Sequence, residues 1–176
     1  ITDLDQDGRK ELLIVNFSDL IFLLENSGDN SYTEVFRDSL FYPPYDDVSE
    51  ATPGDFDLDG KMEYVISDVG GNVWVFENVE VGVDSFILTW HGDALTSTAY
   101  ENASANDMDG DGKPEFIIGG GHLMGYRRFV FTVFETKGDN DYELVWCDSS
   151  LTSGLFDQCN IACGDVDGDS IDEMLF

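Results

Sequence analysis

The strongest constraint in this chain is one nine-residue pattern written four times. DLDQDGRKE (3–11), DFDLDGKME (55–63), DMDGDGKPE (107–115) and DVDGDSIDE (165–173) all read D-x-D-x-D-G-x-x-E, with Ser170 in place of the glycine in the last. Their starts are 52, 52 and 58 residues apart. A fixed period of this size is the mark of a repeat architecture. The unit to explain is therefore a repeat of about fifty residues carrying one acidic turn. Four carboxylates in nine residues repel one another, so the turn needs a compensating positive charge.

Alternating aspartates place hard oxygens on one side of a tight turn, and Gly8, Gly60 and Gly112 supply the positive φ such a turn needs. Oxygen donors without a nearby His or Cys suit Ca²⁺, while Mg²⁺ prefers a stricter octahedron with fewer carboxylates. An EF-hand loop also begins this way but requires Glu at its twelfth position. Here that position holds Ile14, Ile66, Ile118 and Phe176, which excludes an EF-hand. The ninth position is the acid instead, and an apolar run (LLIV, YVIS, FIIG or MLF) follows at once. Those runs read as strands, so the acidic turn opens into a strand rather than a helix.

Each repeat then continues with a second apolar run: Leu20 to Asn26, Asn72 to Asn78 and Val130 to Thr136. A Gly/Asp/Asn-rich turn follows, and then a third run: Ser31 to Phe36, Ser85 to Trp90 and Asp141 to Trp146. The third run carries aromatics at its second and last positions. Before each new acidic turn lies a stretch of small residues: Val48 to Gly54, Glu101 to Asn106 and Cys159 to Gly164. Small side chains suit a crowded inner strand. The sum is four strands per repeat with no helix, and four-stranded sheets arranged radially make a β-propeller. The fold expected is thus all-β, a single propeller segment over residues 1–176. Its repeats fall at approximately 1–52, 53–104, 105–162 and 163–176, the last being only the start of a further one. A closed propeller has typically four to eight blades, so a segment of a longer chain is expected. Completion of partial blades by neighbouring copies, giving an oligomer or a fibre, is the alternative.

Composition narrows the partners. The chain has 176 residues, 42% of them hydrophobic, and a formal charge of −29, so the acidity does not signal disorder. Sixteen of its 37 acids stand at the motif positions of the four turns, and four Ca²⁺ ions would bring the charge only to −21. Nucleic acid and anionic membranes are poor partners for such a surface, and no apolar run is long enough to span a bilayer. Cys147, Cys159 and Cys163 fit no zinc spacing. Cys147 and Cys159 flank one connection and are the candidate pair. The sequons Asn16-Phe17-Ser18 and Asn102-Ala103-Ser104 permit glycosylation of a secreted protein or are chance matches.

The acidic motif, the strand after it and the repeat length resemble FG-GAP or VCBS-type repeats, which build the propellers of integrin α subunits and of many secreted bacterial proteins. The resemblance implies that each turn joins the innermost strand of a blade to the second and holds Ca²⁺. The implied ligands are the side chains at positions 1, 3, 5 and 9 and the backbone carbonyl at position 7. Here they are Asp3, Asp5, Asp7, Arg9 (carbonyl) and Glu11; Asp55, Asp57, Asp59, Lys61 (carbonyl) and Glu63; Asp107, Asp109, Asp111, Lys113 (carbonyl) and Glu115; and Asp165, Asp167, Asp169, Ile171 (carbonyl) and Glu173. Two departures matter: Glu stands at position 9 where integrins usually carry Asp, and Ser170 replaces a glycine.

The six extra residues of the third repeat lie within GGGHLMGYRR (119–128), which contains His122, Tyr126, Arg127 and Arg128. By the family topology this is a loop between strands two and three, on the face opposite the acidic turns. LFYPPYDD (40–47), with Tyr42 and Tyr45, reaches the same face. Loops on a rigid scaffold concentrate binding residues, so these are the candidate ligand contacts. A long hairpin packed on its neighbour is the plainer reading. No G-x-G-x-x-G and no following helix support a phosphate site, and His91 and His122 have no partner motif. Two function classes follow. One is a non-catalytic, calcium-stabilised adhesion or binding module outside the cell, recognising a protein or a carbohydrate. The other is a lyase-like enzyme acting on polysaccharide through His122, Arg127 and Arg128. A structural subunit of an extracellular fibre, self-associating, is the third possibility.

Overall fold

The computed structural model describes residues 1–16, 20–39, 48–96, 99–123, 126–149 and 160–176. Among them there is no helix, and thirteen strands form four antiparallel sheets. The first sheet is β1 (Glu11–Asn16), β2 (Leu20–Gly28) and β3 (Ser31–Ser39). The second is β4 (Val48–Gly54), β5 (Glu63–Asp68), β6 (Asn72–Asn78) and β7 (Phe86–Asp93). The third is β8 (Ala99–Ala105), β9 (Glu115–Leu123), β10 (Tyr126–Gly138) and β11 (Asp141–Asp148). A two-stranded piece, β12 (Ala162–Gly164) and β13 (Glu173–Leu175), completes the set. In the two four-stranded sheets, strand order follows chain order, the meander of a propeller blade. The all-β expectation holds.

The sheets stack face to face, and alternation along the strands decides which side chain meets which sheet. On β5 and β6, Tyr64, Ile66, Trp74 and Phe76 face the first sheet with Leu4, Ile21, Leu23 and Phe86. Their neighbours Val65, Val73 and Val75 face the third sheet with Phe56, Phe116, Ile118, Phe134 and Tyr142. The middle sheet is buried on both faces, so EYVISD is a continuous buried run. An aromatic box repeats at each interface. Phe36, the last aromatic of the first sheet, meets Phe86 of the next at 5.5 Å. Trp90 meets Tyr142 at 5.6 Å in the same way, and edge-to-face pairs of this kind add about 0.5–1.5 kcal/mol beyond area burial. Stacked Tyr64–Phe76 and Phe116–Phe134 pairs lie beneath them. The recurrence of aromatics at the second and last positions of the outer strand is thus the inter-sheet contact itself.

The small-residue strands lie together on the inner side, with β4 against both β1 and β8, and β12 against β8. A polar knot ties two of them. The Asn102 side-chain amide donates to the Glu50 carbonyl at 2.9 Å, and its oxygen accepts from the Ser67 hydroxyl at 2.7 Å. Asn102 is buried, so the second sequon offers no accessible acceptor in the folded chain and is a chance match.

Residues 119–123 and 126–128 of the insertion are strand rather than loop. They lengthen β9 and β10, with Gly119 opposite Phe131, Gly120 opposite Val130, Gly121 opposite Phe129 and Leu123 opposite Tyr126. A Cβ at Gly119 would fall 2.3 Å from Ile161 and 2.7 Å from the Phe129 ring, so the glycine lets these groups close over the strand. This hairpin turns at the end of the sheet opposite the acidic turn, because Glu115 begins β9 where Leu123 ends it. β3 ends and β4 begins at the corresponding end, Ser39 opposite Leu20 and Val48 opposite Asp68. Tyr42 and Tyr45 lie outside the described residues, as does Cys159, the candidate partner of Cys147. The backbone at His122, Tyr126, Arg127 and Arg128 belongs to the hairpin strands.

Candidate metal centres in the inter-strand turns

Each acidic turn links an inner strand to the next strand out. Two residues per turn adopt left-handed backbone. At position 6 these are Gly8, Gly60 and Gly112 with φ between 91° and 95°, and Ser170 at 75°. At position 4 they are Gln6 (64°), Leu58 (62°), Gly110 (82°) and Gly168 (86°). Reversing the backbone twice makes the intervening aspartates converge. In the first three turns one carboxylate oxygen from each of the four acids lies within 4.8 Å of the others: Asp3, Asp5, Asp7 and Glu11; Asp55, Asp57, Asp59 and Glu63; Asp107, Asp109, Asp111 and Glu115. The fourth turn brings together Asp165, Asp167 and Glu173 but leaves Asp169 out of the group.

The hydrogen bonds hold this convergence in place. One oxygen of each position-9 glutamate accepts the amide of the residue at position 2. The distances are 2.6 Å for Leu4 to Glu11 and for Phe56 to Glu63, 2.7 Å for Met108 to Glu115 and 2.9 Å for Val166 to Glu173. The position-5 aspartates accept the position-7 amides: Arg9 and Lys61 at 2.8 Å, Lys113 and Ile171 at 2.9 Å. Each of these carboxylates therefore spends one oxygen on the turn. The second oxygens of Asp3, Glu11, Asp55 and Glu63 are buried and without any partner. Orphaned buried oxygens cost free energy, and here they sit inside rings of like charge. Burial first, and the neighbouring aspartates next, push Glu63 up to about 9 and Glu11 and Glu115 up to about 7. The donor set is hard, anionic, convergent and unsatisfied, which fits a divalent oxygen-loving cation. These clusters can hold metal ions.

A further acid in each repeat escapes sequence inspection. Glu25, Glu77 and Glu135 stand directly across the ladder from Glu11, Glu63 and Glu115, and all three are buried. Like charges directly opposite destabilise a sheet. The position-7 side chains answer this: Arg9 reaches Glu25 at 2.7 Å, Lys61 reaches Glu77 at 2.6 Å, and Lys113 pairs with Glu135. Each cation thereby bridges its own turn to the next strand. The recurring Glu-Asn or Glu-Thr step at the end of the second apolar run (25–26, 77–78 and 135–136) is the signal that could have revealed it. Ile171 of the fourth turn has no such charge.

Fold and sites together define the class: antiparallel four-stranded blades, each opened by an acidic, cation-competent turn. The FG-GAP-like repeat model matches residues 3–66 and again 55–118. Each match runs from one acidic turn into the strand after the next, and the two are offset by the 52-residue period. The chain belongs to the FG-GAP-like repeat family. No curated protein matches it.

Proposed function

We propose that the chain is a calcium-stabilised, non-catalytic binding module working outside the cell, in adhesion or in recognition of a protein or carbohydrate. The observation that carries the calcium reading is the set of buried, partnerless carboxylate oxygens on Asp3, Glu11, Asp55 and Glu63. A bound divalent cation would satisfy those oxygens and cancel the repulsion around them, and its chemistry here is structural. The residues that would hold it are the four carboxylates of each turn, with the position-7 carbonyl completing the set by family resemblance. Extracellular modules work with sites of about 10⁻⁴ to 10⁻³ M, which cytosolic calcium would leave unfilled. Among the described residues no helix is long and apolar enough to cross a membrane. The ligand-binding role falls to the sheet ends opposite the turns, where the long β9–β10 hairpin projects. Isothermal titration with Ca²⁺ and Mg²⁺ tests the cation, with saturable calcium binding of up to four equivalents expected and weaker magnesium binding. Equal indifference to both ions would reject it. A glycan and protein array, read together with a polysaccharide-cleavage assay, separates binding without turnover from lyase activity.

A further inference from the structure

The acidic turn of the second sheet is not finished within that sheet. The β10–β11 turn of the third sheet reaches across and seats Asn140 on it. The Asn140 backbone amide donates to Asp57 Oδ2 at 2.8 Å, and its side-chain amide donates to Glu77 Oε2 at 2.7 Å. Asn140 holds φ at 54°, a left-handed conformation that aims both donors at the neighbouring sheet. Two residues on, Tyr142 is buried with its hydroxyl unpartnered. Asp57 is one of the four converging acids of the turn, and Glu77 is the residue that Lys61 bridges to it. The preceding interface makes a backbone-only counterpart of this contact. Gly82, in the corresponding β6–β7 connection of the second sheet, donates its amide to the Asp5 carbonyl at 2.5 Å. Asp5 and Asp57 occupy the same position in their turns.

We infer that Asn140 is a positioning residue for the cation site of the second turn, so that filling this site fastens the third sheet onto the second. The inference rests on the calcium reading proposed above. The Asn140 backbone amide holds Asp57 and its side-chain amide holds Glu77, the partner of Lys61 in the turn, and outer-shell partners of metal ligands typically tune affinity by 10–100-fold. Coupling is reciprocal: the docked turn raises cation affinity, and the cation holds the docked turn closed.

The molecule contains its own control. Asn30 occupies the matching turn between β2 and β3, with φ 53°, and its side chain donates only to the adjacent Asp29 at 2.9 Å. Asn140→Gly and Asn30→Gly both keep the left-handed turn and its backbone amide, so the bond to Asp57 survives, and only the first removes a side-chain bond beside the cation site, the one to Glu77. Hydrogen–deuterium exchange followed along a calcium titration reads each turn by its own peptide. In Asn140→Gly the calcium midpoint for protection of residues 55–63 is expected to rise about tenfold, with that for residues 3–11 unchanged. Calcium should also protect residues 139–142 in the parent and less so in this variant. Asn30→Gly should move neither midpoint. An unmoved 55–63 midpoint in Asn140→Gly, or equal shifts in the two variants, overturns the inference while leaving the calcium sites intact. Absence of calcium protection at every turn of the parent overturns both.

Discussion

Glu63 is the group on which the metal-free and metal-loaded states disagree most, and Glu63→Gln separates them. Its side chain has no exposed surface. One oxygen accepts the Phe56 amide at 2.6 Å and the other has no partner. Burial raises its pKa from 4.5 to about 9. At pH 7 the metal-free fold therefore keeps this carboxyl protonated, whereas the unfolded chain ionises it. Between 4.5 and 7 that difference amounts to about 3 kcal/mol, at 1.36 kcal/mol per pH unit. Glutamine keeps an acceptor for the Phe56 amide and carries no charge to neutralise. In EDTA at pH 7, Glu63→Gln should raise stability by up to about 3 kcal/mol, or about 6–12 °C in Tm for a chain of this size. In millimolar calcium the sign reverses, because the variant has lost an anionic ligand and with it part of the stabilisation that ligand binding confers. Differential scanning calorimetry in the two buffers reads both. A lower Tm for the variant in EDTA would refute the claim that the empty turn is electrostatically strained.

Four further outcomes follow from the same geometry. Glu11, Glu63 and Glu115 are all raised from 4.5, to about 7, 9 and 7. A raised acid stabilises the fold below its unfolded pKa and loses that contribution as pH climbs through the folded value. The Tm of the metal-free chain should thus fall between pH 5 and pH 9, and saturating calcium should abolish the fall. Ser170→Gly relieves a left-handed serine at φ 75° and should stabilise the fourth turn by about 1 kcal/mol, seen as tighter calcium binding there. Gly119→Ala drives a methyl into Ile161 and Phe129 and should cost about 1–3 kcal/mol in chemical denaturation. Phe116→Ala removes a ring that touches Phe56, Trp90, Phe134 and Tyr142, and should cost about 3–5 kcal/mol.

The acidic turns were legible because their chemistry is local. Ligand type, spacing and the following apolar strand all sit within twelve residues, and repetition at a fixed period turns coincidence into architecture. The strand count per repeat was legible for the same reason. What escaped depends on register. That Glu77 stands opposite Glu63, and that Lys61 pairs with Glu77 there, appears only when β5 and β6 are paired. The left-handed Gln6 and Leu58 carry no glycine to announce themselves. GGGHLMGYRR reads as a loop because the six extra residues fall there and the family topology places a connection at that point, yet Phe129 and Ile161 close over Gly119 in the ladder. The Asn102 sequon reads as a surface feature, and only its bonds to Glu50 and Ser67 reveal a buried one. Asp169 fits the motif but stays apart from the other acids of its turn, beside the serine that stands in for glycine.

The most direct test is a crystal grown in millimolar calcium, with anomalous scattering recorded to locate the ions. The account predicts peaks inside the turns at 3–11, 55–63 and 107–115, each in contact with the second oxygen of its position-9 glutamate. Turns that keep their shape with no ion inside, or ions bound only elsewhere on the acidic surface, would contradict it.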